Sequence, residues 1–169
     1  MHHDWPGNQW RTKYPMGADK GLLLKEAQHW TQHAIDQIRP FVDKLLVSIS
    51  PSQMEAYLKV FQEEMLVADD DSLDMHGPLH GLLSVHRSFP LHDVLVLACD
   101  MMAINRSVIE LLYKSYADHP GHSCYVFKDN DGFQPLVRFV RVHRKATFVF
   151  SVLPPFYCVA ELLIVGGGL

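Results

Sequence analysis

The sequence places a carboxylate at the end of an apolar run. Residues 94–98 read Val-Leu-Val-Leu-Ala and are followed at once by Cys99, Asp100 and Met101. A near-continuous aliphatic run of this kind is expected to be a strand covered on both faces, as in a parallel sheet flanked by helices. In such sheets ligands bind beyond the carboxyl ends of the strands. Asp100 is therefore a candidate metal or catalytic ligand, set against the plainer alternative of a solvated residue opening a loop. A second apolar run, residues 65–68, ends in Asp69, Asp70 and Asp71.

Two glycine-containing segments could bring backbone close to a ligand. Met16-Gly17-Ala18-Asp19-Lys20-Gly21 leads into a helical pattern. N–H groups at a helix start suit phosphate oxygens, and a lysine adds a point charge. Taken alone, such a segment is usually just a turn with a solvated lysine. Gly77-Pro78-Leu79-His80-Gly81 opens another helix. Its glycines would admit a base or ribose, or would let a helix pack tightly on a sheet. Gln134-Pro135-Leu136 has little meaning by itself beyond an extended segment.

Bulk properties narrow the function classes. The 169 residues suit one domain, with 48% hydrophobic and 20% charged residues. A net charge of −4 argues against a general electrostatic grip on nucleic acid, though not against an anionic small molecule met by local cations or Mg²⁺. Three cysteines without metal-ligand spacing point to a reducing compartment. Neither a signal peptide nor an 18-residue apolar span is apparent, so the expected location is the cytoplasm, away from membranes. Of the 11 histidines, His29 and His33 share a helical spacing but lack a third ligand, so zinc is not expected.

The elements that must position these residues alternate strand and helix, the pattern of an α/β sheet. Helices are expected over 21–39, after 50, from 77 and over 105–117; strands over 42–49, 65–68, 94–98 and 122–128. Ser50-Pro51-Ser52-Gln53 has the form of a capping box. The stripe Trp30, Ala34, Ile35 and Ile38 is expected to face the core, as are Met54, Tyr57, Leu58 and Phe61. Asn130-Asp131-Gly132 is expected to turn. Residues 136–153 have a β-like pattern, with Arg138, Arg141 and Arg144 either on a solvated face or reaching an anionic acceptor, and an apolar tail follows Pro154-Pro155.

Together and in this order, the motifs resemble those of the molybdenum cofactor guanylyltransferases. Met16 to Lys20 matches the second half of the family's Arg-Met-Gly-x-Asp-Lys pattern, and Gly77 to Gly81 its Gly-Pro-Leu-x-Gly. Cys99-Asp100 matches its strand-terminal Cys-Asp, and residues 134–136 its late Gln-Pro-Leu. The resemblance covers residues 16–136 and implies a single domain over 1–169. The implied fold is a three-layer Rossmann-like nucleotidyltransferase fold with a mostly parallel sheet. It also implies transfer of GMP from GTP to molybdopterin with release of pyrophosphate. Lys20 and Asp100 would be catalytic, and Asp100 would hold Mg²⁺. Gly17, Lys20, Ser50, Asp70, Gly77 and Asp100 would bind the nucleotide. Transient contact with molybdoenzymes or other cofactor-synthesis proteins is a further implication.

The resemblance stops at both ends. The family's first strand and its Leu-Ala-Gly-Gly loop have no counterpart in residues 1–15, and residues after 136 lack its C-terminal helices. Both regions are therefore expected to be altered. Two other readings are a CTP-using relative and a noncatalytic module with the same fold.

Overall fold

The computed structural model describes residues 19–75, 77–120, 122–129, 132–140 and 162–167, with 128–139 and 162–167 described by their backbone. The elements in chain order are β1 (Leu24–Lys25), β2 (Gln28–His29), α1 (Trp30–Ile38), β3 (Lys44–Ile49), α2 (Met54–Tyr57), β4 (Leu66–Ala68) and α3 (Pro78–Ser88). They continue with β5 (Asp93–Ala98), α4 (Arg106–Asp118), β6 (Cys124–Asp129), β7 (Gly132–Val140) and β8 (Leu162–Gly167). Six strands form one sheet in the order β4-β3-β8-β5-β7-β6.

Alternation along the central strands creates three layers. Val47 and Ile49 of β3, with Leu95 and Leu97 of β5, point to one face and pack with Ala34, Ile35 and Ile38 of α1 and Ile109 and Leu112 of α4. Leu46, Val94 and Val96 point to the other face, against Leu82 and Val85 of α3. This is the period-two geometry of a strand buried on both sides, as the aliphatic run of β5 led us to expect. The chain thus has the expected α/β, Rossmann-like architecture. Among the described residues, no helix is long and apolar enough to cross a membrane.

Strand directions depart from the expected mostly parallel sheet, because burial on both faces gives an aliphatic run whichever way the neighbouring strands point. β3 and β4 pair in parallel. β8 lies between β3 and β5 and runs antiparallel to both, so β3, β4 and β5 share one direction. Residues 162–167 of the apolar tail thus occupy the middle of the sheet. β7 is antiparallel to β5 and β6. Pro135, which has no N–H to donate, lies in the stretch of β7 that the β6 ladder skips between Val126 and Phe127. Arg141, Arg144 and the turn residues Asn130 and Asp131 lie outside the described residues.

The expected helix over 21–39 is shorter. It starts at Trp30, and Leu24–Lys25 and Gln28–His29 before it form a small antiparallel hairpin. The hairpin turn places Glu26 at φ 52° and Ala27 at φ 67°. Both angles belong to the left-handed region that a two-residue type I′ turn requires and that Asn and Gly adopt more readily. Glu26→Asn combined with Ala27→Gly is expected to stabilise the protein by about 1 kcal/mol. A raised urea midpoint would be the sign of this, and an unchanged midpoint would mean that the turn has relaxed. The helix expected after residue 50 is also short: a 3₁₀ turn at Pro51–Gln53 leads into the four residues of α2, where Tyr57 is buried.

Candidate functional site

Backbone register alone brings three strand ends to one edge. Ile49 of β3 pairs with Ala68 of β4, while Ser48 and Ala98 both pair with Leu162 of β8. The carboxyl ends of β3, β4 and β5 are therefore level, with β3 and β5 about 10 Å apart across the intervening strand. Ser50, Asp69, Asp70 and Asp100 follow those ends directly. This is the edge where ligands of open α/β sheets bind.

Lys20 reaches this edge from a distant part of the chain. Its Nζ lies 3.1 Å from Asp100 Oδ2, and the two side chains are 33% and 19% exposed. A 3₁₀ turn over Lys20–Leu22 presents the lysine, and Asp19 caps that turn by accepting from the Gly21 N–H at 3.1 Å. Asp19 also accepts from Gln53 Nε2 at 3.1 Å and from the Tyr57 hydroxyl at 3.0 Å. The lysine turn is thus tied to the segment that follows β3. Thr31 Oγ1 adds a bond to the Gly21 carbonyl at 3.1 Å. Sequence reasoning identified Lys20 and Asp100 and gave Asp19 no role, although the matched Arg-Met-Gly-x-Asp-Lys pattern contains it.

Ser50 forms the expected capping box. Its backbone N–H donates to Gln53 Oε1 at 2.7 Å, and its hydroxyl lies 2.9 Å from the same oxygen. Asp70 lies in a turn where its carboxylate meets Arg87 Nη1 at 2.6 Å and accepts from the Ser72 N–H at 2.9 Å. The Ser72 hydrogen bonds, followed by Arg87, hold the Asp70 carboxyl below the usual carboxylate range. The neighbouring Asp69 behaves oppositely. Burial pushes its carboxyl up, with Asp71 adding to the rise and a hydrogen bond from Ser48 and the proximity of His80 opposing it.

The two glycines of the Gly-Pro-Leu-x-Gly motif have different constraints. Gly77 precedes α3 with φ 74°, and a Cβ there would meet nothing within 4 Å. Its requirement is conformational. Gly81 is a close-packing glycine: a Cβ would stand 2.4 Å from Ser48 Oγ and 3.3 Å from Asp69 Oδ1. What Gly81 admits in this structure is therefore the sheet edge. Gly81→Ala is expected to destabilise the fold by about 1–3 kcal/mol, despite the better helix propensity of alanine. Chemical denaturation measures this, and a gain in stability would show that Ser48 swings aside freely. Gly17 lies outside the described residues.

The arrangement presents a carboxylate–ammonium pair, Asp100 and Lys20, at a ligand-binding edge, a combination suited to phosphate chemistry. The family described as MobA-like NTP transferase domain matches residues 15–149. The chain belongs to this family. Among curated relatives of this MobA-like domain is the molybdenum cofactor guanylyltransferase of Pseudomonas syringae, 27% identical over 131 residues, covering 78% of this chain and 63% of that protein. The protein of the same name from Pseudomonas aeruginosa is 32% identical over 131 residues, covering 75% and 62%. The chain thus spans less than two thirds of the length of these relatives. A solved structure, molybdopterin-guanine dinucleotide biosynthesis protein A from Archaeoglobus fulgidus, has a TM-score of 0.55 and 19% identity. The match covers 74% of this chain and 60% of that one, and it supports the fold of the MobA-like domain.

Proposed function

We propose that the chain binds a nucleoside triphosphate at the carboxyl edge of β3, β4 and β5 and transfers GMP from GTP to molybdopterin. The observation that carries this reading is the Lys20–Asp100 pair, held at 3.1 Å at that edge within a MobA-like NTP transferase domain. The names of its curated relatives favour GTP and molybdopterin as substrates.

In the proposed reaction a phosphate oxygen of molybdopterin attacks the α-phosphorus of GTP. One P–O bond forms there, and the bond from the α-phosphorus to the bridging oxygen breaks, so that pyrophosphate leaves with its electron pair. Lys20 would place its charge against the triphosphate and stabilise the charge that develops on the departing pyrophosphate. Gly17, Ser50, Asp70 and Gly77 complete the proposed nucleotide contacts. Such transfer depends mainly on positioning and charge neutralisation.

The residues present suit a magnesium ion. Asp100 offers hard oxygen donors, and no group of three or more His, Cys, Asp or Glu able to hold a metal occurs among the described residues. Asp100 would hold such an ion through its carboxylate oxygens, the donor type that Mg²⁺ prefers. Bound there, it would neutralise charge on the triphosphate. Cytoplasmic residence and transient contact with cofactor-synthesis proteins or molybdoenzymes belong to the same proposal.

Calorimetric titration with GTP and with CTP, each with Mg²⁺, tests the reading. The expected result is GTP binding that Asp100→Ala removes, followed by detection of the molybdopterin dinucleotide in a transfer assay. Preference for CTP would reassign the base. Binding of neither nucleotide by the folded protein would overturn the enzyme reading in favour of a noncatalytic module.

A further inference from the structure

One face of α3 holds every polar group of Asp70. His80 Nε2 lies 2.9 Å from the Asp70 carbonyl. Ser84 Oγ accepts from the Asp70 N–H at 2.8 Å while donating to the His80 carbonyl at 2.9 Å. Arg87 Nη1 meets the Asp70 carboxylate at 2.6 Å and donates to Ser72 Oγ at 2.8 Å. Residues 80, 84 and 87 follow the i, i+4, i+7 spacing that stacks side chains on one helix face. Backbone groups at a strand end need partners, and here one helix provides them.

We infer that His80 is a positioning residue for the proposed nucleotide site, fixing the turn after β4 through the Asp70 carbonyl. A carbonyl can only accept, so Nε2 of His80 carries a proton. The same carbonyl accepts from the Leu73 N–H at 2.9 Å, so the helix and the turn close on a single oxygen. The other ring nitrogen, Nδ1, lies 3.9 Å from Asp69 Oδ2. Ser48 meets the opposite oxygen of Asp69 at 3.0 Å, which links the end of β3 to the same cluster. Gly81 then lets α3 come close enough for these contacts. Asp70 is thereby presented at the carboxyl edge in one conformation, and a preorganised contact costs less to engage.

This inference rests on the proposed nucleotide site, and its test separates the two. His80→Phe removes the donor at similar bulk, and His80→Gln keeps an N–H in its place. The expected result is that His80→Phe weakens GTP binding on the order of tenfold, while His80→Gln recovers most of it. Amide hydrogen exchange at Leu73 is read alongside. It should accelerate in His80→Phe and return towards the wild-type rate in His80→Gln. If Phe prevents folding, His80→Leu is read in the same way. His80→Phe matching the wild type in both measurements, or His80→Gln failing as fully as His80→Phe, overturns the inference. Should the wild type itself bind no GTP, the nucleotide reading falls and Leu73 exchange alone decides whether His80 fixes the turn.

Discussion

Asp100→Asn is expected to reduce Mg²⁺-dependent nucleotidyl transfer by about 10²–10³-fold while leaving the domain folded. Asparagine keeps the size and shape of the side chain and removes its negative charge. The substitution therefore affects contacts of unequal weight. Its ion pair with Lys20 is partly exposed, and pairs of that kind contribute on the order of 1 kcal/mol or less to stability. The proposed magnesium site, in contrast, would lose the carboxylate charge that attracts the ion. Steady-state transfer assays over a magnesium series, with circular dichroism on the same preparation, distinguish the two effects. Unchanged turnover would remove Asp100 from the metal site. Loss of the fold would make it a structural residue instead.

Ile164→Pro is expected to destabilise the fold severely. Ile164 pairs with Leu46 of β3 on one side and Val96 of β5 on the other. Proline removes an N–H and distorts the backbone, and sheets tolerate it at edges or bulges rather than between two partners. The cost is about 3 kcal/mol or more, against a total stability of roughly 5–15 kcal/mol for a domain. Both ladders that join β3 to β5 would fail together. Thermal and urea unfolding followed by circular dichroism report the outcome. A cooperative transition at the wild-type midpoint would mean that residues 162–167 lie outside the sheet.

Much of the site was legible because its signals are local. The aliphatic run before Asp100 announced a strand buried on both faces, and Val94 to Ala98 are buried as expected. The Ser50-to-Gln53 spacing specified a capping box, and the Trp30, Ala34, Ile35, Ile38 stripe faces the core. Matching motifs placed Lys20 and Asp100 together, which no reading of either segment alone would have done. What stayed hidden depends on long-range pairing or on unusual backbone. The hairpin before α1 turns through Glu26-Ala27, a pair without the Asn or Gly that marks such turns. His80, Ser84 and Arg87 have a common target only once the turn after β4 folds back on α3. The apolar tail gave no hint of its partners because they lie far away in the sequence.

That distance has a consequence in time. Leu45 pairs with Val165, so the strand that joins β3 to β5 leaves the ribosome on the order of a hundred residues after its first partner. Until then β3 and β5 have no shared neighbour, and each carries an unpaired ladder flanked by aliphatic side chains. The nascent chain must hold these edges apart until residues 162–167 emerge. Non-local pairing of this kind slows folding and lengthens exposure to aggregation. Of the described strands, the one that emerges latest is the one that joins β3 to β5.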